Sequence, residues 1–251
     1  MFEPTRIISI ALLALICSLG ISILLLILRK RKIALLSLSF YFAASLIFFG
    51  IRAYLKNFFP FTDKVESFTT LSVLITACAV YYRNRISNRE LILFLTLSLL
   101  SVGTVLFFND EIRFPNAYLL TLWYPLHVPL SFGAYAFWCL AGITSIFTKQ
   151  SLPEDELTLS ATDLNRKGLI LFTLSMLFGG IWGYLAWGAY FLWDPKLLWS
   201  VILWFYYSNL LHIDSLPRFK GMKTPLYLLG IVLILITFVG TGFFTRSIHR
   251  F

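Results

Sequence analysis

Residues 7–28 read IISIALLALICSLGISILLLIL, and Arg29, Lys30, Arg31 and Lys32 follow at once. An uncharged run of this length meets the ~20 residues needed to cross a 30 Å hydrocarbon core. In lipid the backbone must satisfy its own hydrogen bonds, so the run is a helix. The four basic residues form a stop-transfer signal and no small-residue cleavage site follows. The run is therefore expected to remain as a span rather than be removed as a leader.

The same reading extends along the chain. Apolar runs recur at 33–51, 67–82, 91–108, 127–147, 168–187, 197–211 and 225–245, which makes about eight transmembrane helices. The runs at 67–82 and 197–211 are short for a span. Of the 251 residues, 59% are hydrophobic and only 13% are charged, too much apolar surface for a soluble domain to cover. The expected class is all-α, a polytopic membrane protein forming a single membrane domain over residues 1–251.

Charge sets the orientation. With eight spans, about thirteen Lys and Arg fall on one side, among them Arg29–Lys32, Arg83, Arg85, Arg166, Lys167 and Lys223, against about eight on the other. The richer side faces the cytoplasm or its equivalent. Both termini and the loop around Trp193 and Asp194 then lie on the outer (periplasmic or lumenal) side. The basic residues are scattered through short loops, so the net charge of +9 reports topology and no nucleic-acid partner. Cys17, Cys78 and Cys139 sit inside apolar runs and read as small buried residues. No CxxCH segment occurs. Residues 150–166 read as a solvated connector and 111–126 as an interfacial stretch.

The chemistry concentrates in residues 182–199, WGYLAWGAYFLWDPKLLW. Trp and Tyr are enriched at membrane interfaces, so an aromatic belt is one reading. The other is a site for a flat apolar ligand with a charged rim. Trp182, Trp187, Tyr190, Trp193 and Trp199 would cover its faces, and Gly183 and Gly188 would give clearance. The turn Asp194-Pro195-Lys196 would supply polar contacts. Only three histidines occur. His127 opens the fifth span and His249 follows the eighth, both on the outer side, while His212 ends the seventh helix on the inner side. Two imidazoles at one membrane depth can close a six-coordinate haem site.

The residues Trp187, Gly188, Trp193, Asp194, Pro195, Lys196 and Trp199 resemble the WWD motif of cytochrome c biogenesis proteins of the CcsA/ResC type. Phe191 stands where that family usually has tryptophan and Leu197 where it has glutamate. The segments around His127 and His249 are similar to the family's outer histidine segments. Residues 60–67, with Asp63 and Glu66, are similar to an N-terminal family segment. The resemblance implies an N-terminal pair of helices over 1–60 and a haem-handling core over 61–251. It implies His127 and His249 as axial ligands to the iron of haem b, the tryptophan loop as porphyrin cover, and His212 as part of an inner haem site. It also implies a CcsB/ResB-type membrane subunit as partner, an apocytochrome c carrying CxxCH as acceptor, and the bacterial plasma membrane or a thylakoid membrane as location. The chain would be the haem-binding subunit of a cytochrome c synthase, with no catalytic residue of its own assigned. Lys196, Arg246 or Arg250 would pair with haem propionates. Two further readings stay open: a non-catalytic haem exporter or regulator of haem synthesis, and a membrane b-type electron carrier.

Overall fold

A computed structural model of the chain describes residues 4–108, 112, 114–147 and 159–241. Eight principal helices follow in the expected order: α1 (Pro4–Ile27), α2 (Arg31–Lys56), α3 (Lys64–Tyr81), α4 (Asn88–Gly103), α5 (Trp123–Phe147), α6 (Ala161–Trp187), α7 (Pro195–Leu210) and α8 (Lys223–Leu235). No strand occurs among the described residues. Six helical stretches are long and apolar enough to cross a membrane; the two that are not are α3 and α7, the segments whose sequence runs are short. The chain is an all-α polytopic membrane protein. It divides into two compact units, Met1–Leu120 and Thr121–Phe251. The division falls at residue 120, and residue 60 lies inside the first unit, in the turn between α2 and α3.

In unit 1, α1 packs against α2 and α4, and α3 against α4. Apolar side chains gain little from meeting each other in lipid, so polar contacts between helices matter more there. Tyr41 of α2 shares a 2.7 Å hydrogen bond with Ser72 of α3, and Ser98 of α4 meets both Ser72 and Thr76 at 2.7 Å. Ser22 of α1 donates back to the Ser18 carbonyl and pairs with Ser37 of α2. α4 begins with a capping box in which the Ser87 hydroxyl and the Glu90 carboxylate each accept the other's backbone N–H, satisfying two amides that the first turn leaves orphaned.

The second α-helix runs past its expected end. Arg52 and Lys56, which follow the apolar run 33–51, lie inside its last turns and are 0% and 3% exposed. Two carboxylates make this tenable. Arg52 Nε donates to Glu66 at 2.8 Å and its terminal nitrogen to Asp63 at 2.6 Å. Lys56 donates to Asp63 at 2.7 Å and to the Thr62 hydroxyl at 2.9 Å. Glu66 also accepts the Thr62 N–H at 2.8 Å, while Asp63 caps α3 by accepting the Glu66 N–H at 2.9 Å. Burial works to raise the Asp63 carboxyl, but Arg52 and Lys56 outweigh it and hold it below its ordinary value. Two cations, two anions and their hydrogen bonds form a closed set.

In unit 2, α5 is the core helix. It packs against α6 and α8 and buries 72% of its apolar window, where α6 and α8 bury 22%. Asn165 fixes the interior. Trp138 Nε1 donates to its side-chain oxygen at 3.0 Å, and its amide nitrogen donates to the Tyr207 carbonyl at 3.0 Å. The Trp138 and Tyr207 rings stack at 3.9 Å and 3°. This ties α5, α6 and α7 together about 16 Å along α5 from His127, at 1.5 Å per residue. Cys139 is buried here, as expected, but Cys17 lies on the outward face of α1 and is exposed, since the apolar surroundings of that helix are lipid rather than protein.

Candidate functional site

His127 lies one turn into α5, between Pro125 and Pro129. Its ring Nδ1 is 2.8 Å from the Ser175 backbone carbonyl on α6. A carbonyl only accepts, so Nδ1 carries a proton, and in the neutral ring Nε2 then keeps its lone pair. The Ser175 hydroxyl returns the contact, donating to the His127 carbonyl at 2.8 Å, and Ser131 lies 2.5 Å from that hydroxyl. The imidazole rests against Gly179, where a Cβ would stand 2.6 Å from Nδ1 and 2.8 Å from Cε1.

Trp182, one turn further along α6, lies nearly parallel to the imidazole at 6.4 Å and 13°. It is 2% exposed and is enclosed by Tyr124 at 5.1 Å and Trp187 at 4.7 Å. Trp182 is thus a wall behind the histidine. The outward rings are those of the loop: Tyr190 is 64% exposed and Trp193 85%, and Tyr184 stacks on Tyr190 at 4.6 Å.

Each part of the loop has a local cause. Gly188 ends α6 in the left-handed region at φ +73° and donates its N–H to the Tyr184 carbonyl at 2.8 Å, a common helix stop. Nothing approaches its missing Cβ, so conformation rather than clearance selects glycine there. Gly183 gives clearance to the loop itself, since a Cβ would sit 3.3 Å from the Ala189 carbonyl and 3.6 Å from the Trp187 ring. Asp194 is buried and caps α7, accepting the Lys196 N–H at 2.9 Å, with Pro195 opening the helix. Trp199, one turn into α7, forms a wall of an open apolar groove of about 520 Å³ with Val232, Leu235, Ile236 and Val239.

His127 and the loop residues Trp182, Gly183, Trp187, Gly188, Tyr190, Trp193, Asp194, Pro195 and Lys196 therefore gather at one end of unit 2. His212 does not join them. It follows the last turn of α7, is exposed, and sits at the other end of that helix from Asp194. Arg246, His249 and Arg250 lie outside the described residues. Sequence reasoning overlooked Ser175 and Gly179. Their signal is the run of small residues Ser175, Gly179 and Gly183 at four-residue spacing, which puts them on one face of α6.

Comparison with known proteins identifies the lineage. The family model described as Cytochrome C assembly protein matches residues 7–249. The chain belongs to that family. It is 27% identical over 222 residues to protein NrfI of Wolinella succinogenes, which covers 80% of this chain and 24% of NrfI. With the cytochrome c biogenesis protein CcsA of Heterosigma akashiwo it shares 25% over 258 aligned positions, 80% of this chain and 79% of that one. The chain spans about a quarter of the length of several curated relatives it matches. The solved structure of the cytochrome c haem lyase CcmF aligns over 98% of this chain and 48% of its own, with a TM-score of 0.63 and 18% identity, a likeness of fold. The CcsA-type resemblance is borne out at the level of the family, and the chain is a membrane protein of the cytochrome c assembly family.

Proposed function

We propose that this chain holds haem b, as substrate, at the end of unit 2 and presents it for covalent attachment to an apocytochrome c. The observation that carries the reading is the state of His127. Its Nδ1–H is spent on the Ser175 carbonyl, the arrangement that metal-bound histidines use to fix the ring and make Nε2 a better ligand. The loop after α6 carries two exposed aromatic side chains, Tyr190 and Trp193, of the kind that cover a porphyrin.

His127 and His249 would hold the iron of the haem. Lys196, Arg246 or Arg250 pairs with the propionates and sets the rotation of the macrocycle. The chain's own work is orientation, which lowers a barrier by proximity. Thioether formation then adds each cysteine S–H across a vinyl group: sulfur bonds one vinyl carbon, the proton goes to the other, and no electrons are exchanged. His212, at the far end of α7, belongs to an inner station from which haem is delivered across the membrane. The unit acts with a CcsB/ResB-type subunit as the haem-binding part of a cytochrome c synthase of the system II kind. It sits in a bacterial plasma membrane or a thylakoid membrane, with the loop on the outer side.

The test is co-expression with a CxxCH cytochrome and the partner subunit. Thioether-linked haem should appear with the wild-type chain and fail with His127→Ala, while both membrane proteins accumulate normally. Equal yields from the two chains would refute the reading.

A further inference from the structure

We infer that Gly179 and Ser175 of α6 are positioning residues that fix which nitrogen of His127 faces the ligand. This rests on the reading of His127 as an iron ligand. Inside a helix, the carbonyl of residue 175 points toward residue 179, one turn on. A side chain at 179 would shield that carbonyl from sideways approach. Glycine leaves it open, and the imidazole occupies the space, with Nδ1 at 2.8 Å from the oxygen and 2.6 Å from the Cβ that position 179 lacks. The Ser175 hydroxyl then locks the pair from the other side by donating to the His127 carbonyl at 2.8 Å, with its oxygen 2.9 Å from Nδ1. The ring can neither rotate nor exchange its proton to Nε2 without breaking these contacts. Neither residue touches the ligand; both act through the histidine.

Gly180 provides an internal control. A Cβ there would meet only the Tyr190 carbonyl at 3.6 Å, an ordinary contact, and alanine favours the helix at both positions alike. The experiment uses the full chain in detergent, labelled with ¹⁵N-histidine, first haem-free and then titrated with haemin. Resonances are assigned by removing each histidine in turn. Wild type and Gly180→Ala should show His127 protonated at Nδ1 with a bare Nε2. Gly179→Ala should lose that signature and bind haemin about 10–100-fold more weakly, the usual cost of a lost outer contact to a metal-bound histidine. Should Gly179→Ala not accumulate, Ser175→Ala removes one oxygen and adds no bulk. It should shift the His127 nitrogens and weaken haemin binding several-fold. A wild-type His127 protonated at Nε2 would overturn the inference. So would wild-type nitrogen shifts and haemin affinity in Gly179→Ala, or in Ser175→Ala where it stands in. Full haemin affinity in His127→Ala would instead remove the ligand reading beneath it.

Discussion

Units 1 and 2 each gather buried polar side chains near a helix end, and they use them in opposite ways. In unit 1 the set closes on itself. Arg52, Lys56, Asp63 and Glu66 find partners among themselves and Thr62, and the charges cancel. In unit 2 the set is one-sided. His127 is held at Nδ1 and at its carbonyl, while Tyr190 and Trp193 turn aromatic faces outward. A closed set stabilises a fold; a one-sided set has something left to offer a ligand. Burial of charge alone therefore does not mark a ligand site in this molecule.

The comparison breaks most visibly at Glu66. Replacing it with alanine strands Arg52 and Lys56 with one carboxylate, and breaking a buried charge set typically costs about 3–5 kcal/mol. Glu66→Ala should therefore lower the unfolding midpoint sharply, read by thermal denaturation in detergent. Variants of the loop should move it far less. A Glu66→Ala chain as stable as wild type would mean that the cluster is not what holds α2 to α3.

The same cluster predicts a pH response. The folded Asp63 carboxyl lies below its ordinary value because Arg52 and Lys56 outweigh its burial. Its contribution is full above the unfolded pKa of about 3.9 and is lost as pH falls through the folded value. Stability should be flat with respect to this group from neutral pH to about pH 5 and decline below about pH 4. An Asp63→Asn chain that keeps the same acid limb would assign the limb to another group.

At the loop the effects are smaller and more selective. Gly188→Ala forces a Cβ into φ +73°, a strain of about 1–2 kcal/mol, and should destabilise α6 modestly while misplacing Tyr190. Trp193 is 85% exposed, so Trp193→Ala should change stability by no more than about 0.5 kcal/mol. It should nonetheless weaken haem retention on a desalting column. Equal haem retention would remove Trp193 from the porphyrin cover.

Much of the fold was legible in the sequence because span length and the need to satisfy the backbone leave few choices. All eight helices lie where the apolar runs put them, and Asp194-Pro195 opens α7 as its chemistry requires. The extent of α2 was not legible. Arg52 and Lys56 look like loop residues until Asp63 and Glu66 are folded back onto them, a tertiary pairing that no local pattern displays. The sequence singles out His127 and the tryptophans of residues 182–199 as candidates by type and spacing. Trp182 is 2% exposed between Tyr124 and Trp187, an enclosure set by tertiary packing that no local pattern displays. Ser175 and Gly179 stayed hidden because their importance lies in a backbone carbonyl and an absent side chain, and a sequence names neither.

The optical and electron paramagnetic resonance spectra of the purified ferric protein, wild type beside His127→Ala, test most directly whether the His127 imidazole ligates haem iron. The wild type should show a low-spin, two-imidazole signature that becomes high-spin or disappears in the variant at equal protein level. An unchanged low-spin spectrum in His127→Ala would contradict it.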